Sequence, residues 1–284
     1  MGEAHLVAHA ARVVWSAGAY GITAVRVARR GRGARRVGGE ERLTFVVGAP
    51  RSGTTFTAES LAAQPGWVDL GEVPLLKAAI PELVDRPAAE QSGRVRRIIQ
   101  RVRTLGLARG LRGVEQTPET AFVLDAALHA FPQAQAVHVL RDGRDVVCSL
   151  LERGWFRVDR GGHDDARGAY GAYTRFWVEP DRADEFARVS EARRAAWAWR
   201  RYVAAVRAVP DRVVELRYES IVAEPAVEAE RLAAALRGDA DALGVAFGRA
   251  HGASVGRWRR DLTTEQMRDV EDEAGDLLAD LGYA

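Results

Sequence analysis

Residues 43–61 read LTFVVGAPRSGTTFTAESL, and this stretch decides the fold. Its first residues, 43–47, are apolar and partly β-branched, which predicts a buried strand. Gly48, Ala49 and Pro50 end that strand, because a strand interior rarely accepts this combination. Hydroxyl-bearing residues then supply the start of a helix. The stretch therefore predicts a strand, a tight turn and the first turns of a helix.

The turn has the composition of an anion site. Gly53 is free to adopt a positive φ, and Ser52, Thr54 and Thr55 place hydroxyls beside the N–H groups of a helix start. The glycine spacing matches the Walker pattern G-x-x-x-x-G-K-[ST], but Thr54 replaces the lysine and Arg51 is the nearest cation. ATP or GTP hydrolysis is disfavoured, because that lysine reaches the β- and γ-phosphates. A kinase-like transferase, a non-catalytic binding protein and an ordinary Gly-rich turn remain as alternatives.

A second strand, turn and helix follow in residues 133–150, QAQAVHVLRDGRDVVCSL. Arg141 ends the strand, Asp142-Gly143 forms the turn, and Ser149 lies about two helical turns beyond Arg141. A guanidinium offers a planar fork to phosphate oxygens and a hydroxyl adds a neutral donor, which suits a second phosphate. A salt-bridged turn is the alternative explanation of Arg-Asp-Gly-Arg-Asp.

Together the two segments resemble those of sulfotransferases that use 3′-phosphoadenosine 5′-phosphosulfate (PAPS). PRSGTT is similar to the family's 5′-phosphosulfate loop, and residues 133–150 resemble its 3′-phosphate-binding segment. The resemblance implies PAPS as the sulfuryl donor, adenosine 3′,5′-bisphosphate (PAP) as the product, and no metal. It assigns the 5′-phosphosulfate to Arg51, Ser52, Gly53, Thr54 and Thr55, and the 3′-phosphate to Arg141 and Ser149.

Residues 67–72, WVDLGE, predict a short strand that ends at a carboxylate. In tyrosylprotein-type and related bacterial sulfotransferases a Gly-Glu at this point supplies the catalytic base, so the resemblance implies Glu72 for that role. A strand end beside the phosphate loop is where doubly wound sheets bind their ligands. Two alternatives stay open: Glu72 is a surface glutamate before Pro74, or His251 is the base.

One position departs from the family's pattern. The family often has Glu-Lys-Thr-Pro, with the lysine near the sulfuryl group, where this chain has Gln116 in place of the lysine. An amide donates hydrogen bonds but does not offset charge. Either Arg51 alone therefore stabilises the developing charge or another cation takes part, for which Lys77 is the candidate.

The last part of the chain carries two weaker resemblances. Residues 212–219, RVVELRYE, predict a final strand before an Arg-Tyr-Glu motif that the family commonly has, with a structural task. Residues 254–260, SVGRWRR, resemble the C-terminal loop that closes over the 3′-phosphate, which adds Arg257 and Arg259 as donors. The aromatic residue that stacks on adenine is not identifiable from the sequence.

Composition limits the remaining function classes. The 284 residues carry a formal net charge of +2, a near balance that gives no reason to expect a nucleic-acid partner. The single cysteine, Cys148, excludes an intramolecular disulfide and a multi-cysteine zinc site, and favours a reducing cytoplasm. Lys77 is the only lysine, so arginine supplies every other basic side chain.

Two segments are interpreted separately from the core. Residues 1–42 form a helical and basic extension, either an amphipathic helix packed on the domain or a peripheral contact with an anionic membrane. Residues 154–191 place aromatic side chains among glycines and charges, which indicates a lid or loop at the acceptor site. Aromatics that merely anchor a surface loop are the alternative. The expected acceptor is a small molecule, a glycolipid or a carbohydrate, and the oligomeric state is not predicted.

Strands near residues 43–48, 67–71, 111–115, 135–140 and 213–217 alternate with helices. This alternation predicts an α/β fold, in which residues 43–284 form a single three-layer domain around a parallel sheet of about five strands. The expected reaction is direct in-line sulfuryl transfer. Glu72 takes a proton from the acceptor hydroxyl, while Arg51, Thr54, Thr55 and the loop N–H groups stabilise charge on the leaving phosphate.

Overall fold

The computed structural model describes residues 43–104, 111–157, 176–209 and 211–283, together with Val25. One sheet contains β1 Leu43–Val47, β2 Trp67–Gly71, β3 Arg112–Glu115, β4 Gln135–Leu140 and β5 Val213–Arg217. The strand order is β2-β3-β1-β4-β5, and every neighbouring pair is parallel. The predicted α/β fold with a parallel sheet is therefore confirmed. β1 ends one residue earlier, and β3 begins one residue later, than the sequence predicted.

The central strand β1 is buried along its whole length, because it has a neighbour on each edge and helices on each face. Phe45 lies opposite Glu115 of β3 and Ala136 of β4. Parallel strands end at the same edge of a sheet, so the loop after β1 lies between the segments that follow β3 and β4. The chain leaves β1 towards β2 and leaves β4 towards β5, which makes this edge a topological switch point.

Five α-helices follow the first four strands in the described part of the chain up to residue 153. Their bounds are α1 Thr54–Ala62, α2 Pro74–Leu83, α3 Ala88–Thr104, α4 Leu124–Ala130 and α5 Gly143–Arg153. The segment after β3 forms a 3-10 turn, Pro118–Val123, followed by α4. Asp142 caps α5 by accepting the Arg144 N–H at 2.9 Å.

The remaining described helices are α6 Ala183–Arg188, α7 Glu191–Arg207, α8 Tyr218–Ala223, α9 Pro225–Leu236, α10 Ala240–Phe247, α11 Trp258–Asp261 and α12 Thr264–Asp280. Two 3-10 turns, Pro180–Arg182 and Gly252–Ser254, connect them. The two tryptophans of the long helix α7, Trp197 and Trp199, are both fully buried. Trp199 Nε1 donates to the carbonyl of Arg141, directly beyond β4, at 3.1 Å.

Alternate residues of β1 face two separate apolar layers. Phe45 and Val47 pack into a layer with side chains of α2, α4, α5 and α7, whereas Val46 packs into a layer with α1, α9 and α10. Both faces of the sheet are therefore covered, as the three-layer prediction requires.

The N-terminal extension, apart from Val25, and residues 158–175 of the predicted acceptor loop lie outside the described residues. Their assignments stay predictions. Among the helices that the structure describes, none is long and apolar enough to cross a membrane.

Gly48, the first residue after β1, has no room for a side chain. Its φ is 153°, and a Cβ atom would lie 2.4 Å from the backbone oxygen of Val139 on β4. We expect Gly48→Ala to lower the free energy of unfolding by about 1–3 kcal/mol, because the backbone on both sides is fixed in the sheet. Urea unfolding measures the change.

Gly93 provides the matched control, since it is exposed inside α3 and a Cβ atom there meets nothing within 4 Å. Gly93→Ala should raise the free energy of unfolding by about 0.5–1 kcal/mol through helix propensity. A Gly48→Ala protein that is as stable as the wild type would show that the loop after β1 is not held this tightly.

Candidate functional site

The loop after β1, residues 48–53, leads into a helix whose N terminus is open. Gly53 has φ 102° and precedes α1, which no described side chain caps. Its first-turn N–H groups and the helix dipole form an anion site. The Ser52 hydroxyl is fully buried in the loop and has no hydrogen-bond partner among the described residues. A buried unpaired hydroxyl costs about 1–3 kcal/mol, which an anion in the loop would offset.

This loop contacts the end of β4 directly. Arg51 has φ 74°, a left-handed conformation uncommon outside glycine, and its Nε donates to Ser149 Oγ at 3.0 Å. Arg141 Nη1 donates to the carbonyl of Arg51 at 3.4 Å. The structure thus brings together Arg51, Arg141 and Ser149, three residues that the sequence analysis assigned to two phosphates of one nucleotide.

Arg141 is a buried cation, only 6% exposed. Its Nη2 lies 3.8 Å from Asp145 Oδ2, and its Nε has no hydrogen-bond partner among the described residues. A buried guanidinium with an unused donor suits an anionic ligand. The salt-bridged turn also exists: Arg144 pairs with Asp142 at 2.8 Å, and Asp145 is the carboxylate beside Arg141.

The Arg-Tyr-Glu motif supports the loop after β1. A Cβ atom at Gly53 would lie 2.6 Å from the ring of Tyr218, so glycine alone fits there. The guanidinium of Arg141 lies 5.1 Å from the centroid of the same ring. Glu219 accepts hydrogen bonds from the Asp142 N–H at 2.8 Å and from the Tyr283 hydroxyl at 3.2 Å. These contacts fit the structural task expected for the motif.

The C-terminal loop reaches the same edge of the sheet through Asp145. The Asp145 carboxylate accepts the N–H groups of Gly256 at 2.7 Å and Trp258 at 3.0 Å, and the Ser254 carbonyl accepts a hydrogen bond from Arg141 Nη2. The sequence analysis gave Asp145 no role. Its position one helical turn after Arg141 was the available signal.

The two arginines predicted in this loop differ in their surroundings. Arg257 is held by two carboxylates, Glu152 and Asp261, the latter at 2.6 Å. Arg259 is exposed and stacks on the ring of Trp258, 4.4 Å from its centroid. To bind a phosphate, Arg257 must exchange a carboxylate for it. Their assignment to the 3′-phosphate stays a prediction.

Glu72 follows β2 and contacts a buried lysine. Lys77 Nζ lies 2.9 Å from Glu72 Oε2 and 3.6 Å from Glu119 Oε1. The side chains of Lys77 and Glu119 are almost completely buried, whereas that of Glu72 is 34% exposed. Glu72 is therefore the member of this cluster that a substrate reaches. Glu119 was missed by the sequence analysis, and its position four residues after the end of β3 was the one signal for it.

Gln116 occupies the position where the family's pattern has lysine. Its side chain is buried, and its Nε2 donates to Thr54 Oγ1 at 3.3 Å, while Thr55 Oγ1 lies 3.5 Å from its Oε1. The amide thus braces the start of α1, whereas Lys77 is bound between carboxylates.

Glu115, the last residue of β3, is a fully buried carboxyl group. It accepts the Thr117 N–H at 2.8 Å and the Thr120 hydroxyl at 3.2 Å. Burial raises the pKa of Glu115 to about 8, although both threonines oppose the shift. Thr117 Oγ1 accepts the Val73 N–H at 2.9 Å, so this turn fixes the backbone next to Glu72.

The raised pKa of Glu115 predicts a loss of stability as pH rises. The folded chain keeps this proton up to about pH 8, whereas the unfolded chain releases it near 4.5. Stability should therefore fall between these pH values, with Glu115 contributing up to about 1.4 kcal/mol per pH unit. Glu115→Gln keeps the neutral shape and removes this contribution. Urea unfolding across the range should give a flatter profile for the variant, and parallel profiles would contradict the assignment.

A pocket adjoins the loop after β1 at Ala49 and Pro50. Its polar end consists of Glu72, Lys77 and Glu119. Its walls include the aromatic side chains of Trp155, Phe156, Trp177, Trp199 and Tyr202.

The described aromatic residues of the predicted acceptor segment fall into two groups, those that line the pocket and those that do not. Trp155, Phe156 and Trp177 line the pocket, as an acceptor role requires, whereas Phe176 packs edge-on against Phe122 at 5.3 Å and anchors the segment. Tyr170 and Tyr173 lie outside the described residues.

Of the two candidate bases, Glu72 lines the pocket. His251 is exposed on the C-terminal loop, where its backbone N–H donates to the Tyr218 hydroxyl at 3.2 Å.

The arrangement places a candidate anion site beside a pocket that holds a carboxylate. A donor anion in the loop after β1 would lie beside a pocket that holds Glu72, so an acceptor in the pocket can lose a proton as it attacks the donor. Within the described ranges, no cluster of three or more His, Cys, Asp or Glu side chains is arranged to hold a metal ion.

Comparison with known proteins gives a family match over most of the chain. The Sulfotransferase family model matches residues 44–241. No curated protein matches the sequence. Mouse sulfotransferase SULT7A1 complexed with PAP is 13% identical, with a TM-score of 0.50 over 91% of this chain and 91% of that chain.

Two bacterial structures are similar in the same way. Sulfotransferase STF9 from Mycobacterium avium is 13% identical, with a TM-score of 0.49 over 84% of this chain and 76% of that chain. The sulfotransferase domain from the Synechococcus PCC 7002 olefin synthase is 16% identical, with a TM-score of 0.48 over 85% of this chain and 98% of that chain. At these identities the likeness concerns the fold.

Proposed function

This chain belongs to the sulfotransferase family, and from that premise we propose that it moves the sulfuryl group of PAPS to a hydroxyl group of an acceptor. The acceptor oxygen forms a bond to sulfur as the bond from sulfur to the 5′-phosphate oxygen breaks. PAP leaves with that electron pair, and the acceptor's proton passes to Glu72. Proton removal by a positioned carboxylate and charge stabilisation at the leaving group are the two contributions required of the protein.

One observation carries the choice of donor. Arg141, buried and with an unused Nε donor among the described residues, contacts the loop after β1 through the carbonyl of Arg51. A nucleotide with a 5′-phosphosulfate in the loop and a 3′-phosphate at Arg141 and Ser149 would satisfy both this donor and the Ser52 hydroxyl. The PAP bound to mouse SULT7A1 supports the same donor here.

We assign the stabilisation of charge on the leaving phosphate to the loop after β1 and the start of α1. The exposed guanidinium of Arg51, the hydroxyls of Thr54 and Thr55 and the N–H groups at the start of α1 all belong to it. Gln116 holds both threonines and adds no charge. We therefore assign the electrostatic task to Arg51 and the helix terminus.

Lys77 is assigned to Glu72 and not to the donor, because its two described ion pairs are with carboxylates. Lys77→Met leaves the carboxylates of Glu72 and Glu119 without the cation between them, so turnover should fall while PAP binding stays unchanged. Lys77→Arg keeps the charge and should retain more turnover than Lys77→Met. Initial rates with labelled PAPS and calorimetry with PAP measure the two effects. Loss of PAP binding in Lys77→Met would contradict this assignment, because it would place Lys77 at the donor.

The test of the proposed function uses PAPS labelled with sulfur-35. The protein is incubated with labelled PAPS, an extract of its host and EDTA, and labelled products are separated. We expect label to move to an organic acceptor without a divalent ion. An absolute requirement for Mg²⁺ and ATP would instead support a kinase-like transferase.

A further inference from the structure

The pocket beside the loop after β1 carries information about the acceptor, which the family match does not identify. Glu72 lies at its polar end, and Ala49 and Pro50 connect it to the loop. If the proposed function is correct, the reacting hydroxyl points at Glu72 and the rest of the acceptor lies along the pocket walls.

Those walls are mainly apolar. Five aromatic side chains contribute, and several pack against one another edge-on or tilted: Trp177 lies 5.9 Å from Phe156 and 6.4 Å from Tyr202, measured between ring centroids. Leu150 and Pro118 add to the apolar surface. The N–H of Trp199 donates to the carbonyl of Arg141, so it is not a donor to the pocket. Such walls bind apolar groups through the area that they remove from water.

The charged groups of the described pocket lining are two carboxylates and one ammonium group. Lys77 Nζ lies 2.9 Å from Glu72 Oε2 and 3.6 Å from Glu119 Oε1. A carboxylate, sulfate or phosphate on the acceptor would lie beside both of these carboxylates. Like charges placed close together in a desolvated site repel each other strongly. Acceptors with an anionic group are therefore disfavoured.

A sugar is disfavoured for a different reason. Each of its hydroxyls needs a hydrogen-bond partner when it leaves water, because a buried unpaired hydroxyl is unfavourable. The charged side chains of the described lining stand together at Glu72, and the aromatic walls add the Trp155 indole N–H and the Tyr202 hydroxyl as polar groups. These groups are too few for the several hydroxyls of a sugar.

We propose that the acceptor is a phenol or alcohol whose hydroxyl is carried by an uncharged, apolar body. This inference rests on the proposed function and selects one class among small molecules, glycolipids and carbohydrates. Glu72 receives the proton of that single hydroxyl, the aromatic walls hold the body, and the carboxylates of Glu72 and Glu119 exclude anionic analogues.

The test compares acceptors that differ in one feature, with labelled PAPS as donor. The set contains 2-naphthol, methyl 6-hydroxy-2-naphthoate, its free carboxylate 6-hydroxy-2-naphthoate, and methyl glucoside. We expect the naphthol and the ester to react, the carboxylate to show at least about a tenfold lower kcat/KM than the ester, and the sugar at least about a hundredfold lower. A carboxylate as good as its ester, or a preferred sugar, overturns the proposal.

A charge variant separates pocket electrostatics from other causes. Glu119→Gln removes one negative charge at almost constant size, so the ratio of kcat/KM for carboxylate over ester should rise by about three- to tenfold. Glu230→Gln, an exposed change on α9, is the matched control and should leave the ratio unchanged. An unchanged ratio in Glu119→Gln overturns the role given to the cluster.

PAP binding, measured by calorimetry on the same preparation, separates the two hypotheses. A protein that does not bind PAP contradicts the proposed function itself. A protein that binds PAP and sulfates neither naphthol, or that labels a carbohydrate or an anionic compound in the extract, retains its function and contradicts the inferred acceptor class.

Discussion

Glu72→Gln should lower turnover by about 10²–10⁴-fold and leave PAP binding almost unchanged. Glutamine keeps the size and the hydrogen bonding of Glu72 but does not take a proton from the acceptor hydroxyl. Glu72 is the more exposed carboxylate of the cluster and lines the pocket beside the loop after β1. No phosphate of the donor needs a carboxylate, so the nucleotide should still bind. Initial rates with labelled PAPS and calorimetry with PAP measure the two effects.

His251→Ala is the control for this experiment, because His251 is exposed on the C-terminal loop. We expect it to retain most of the turnover. The opposite pattern, near-normal turnover in Glu72→Gln and none in His251→Ala at equal PAP affinity, would make His251 the base. Loss of both turnover and PAP binding in Glu72→Gln would mean that Glu72 maintains the loop.

Arg141→Ala should weaken PAP binding by about 10–150-fold, the equivalent of about 1.5–3 kcal/mol for a lost charge-assisted contact. Arg141 is 6% exposed, so water cannot fully supply the hydrogen bonds that the 3′-phosphate loses when the guanidinium is removed. AMP, which lacks the 3′-phosphate, should bind the variant about as well as it binds the wild type. Calorimetry with both nucleotides measures the difference.

Two controls, a comparison of nucleotides and a second variant, address indirect effects of Arg141→Ala. Arg141 also contacts the carbonyls of Arg51 and Ser254, so its removal affects the loops themselves. Equal losses for PAP and AMP would identify such a structural effect and contradict the 3′-phosphate assignment. Arg231→Ala removes an exposed arginine that pairs with Glu228 on α9, and should change neither affinity.

The sequence predicted those parts of the fold and site that local patterns determine. The apolar run of β1, the glycines after it and the spacing from Arg141 to Ser149 are read within about 20 residues of chain. These features predicted the parallel sheet, and the predicted ends of β1 and β3 lie within one residue of the observed ones. They also identified the two segments that meet at the switch point. The hydrogen bond between Arg51 and Ser149 follows from that topology.

The parts that were missed depend on contacts between distant residues. The burial of Glu119 depends on Lys77, and the pairing of Arg257 depends on Glu152, more than 100 residues earlier in the chain. No periodicity within a segment carries such information. The role of Lys77 illustrates the same limit, because the sequence offered it as a cation for the donor, whereas the structure pairs it with the candidate base.

Binding of PAP and AMP to the wild-type protein in the presence of EDTA tests the central claim most directly, since it needs no acceptor. Titration calorimetry gives both dissociation constants on one preparation. With Arg141 and Ser149 holding a 3′-phosphate, PAP should bind at least about tenfold more tightly than AMP. Equal affinities for the two nucleotides, or binding of either one only with Mg²⁺, would contradict the assignment of PAPS as the donor.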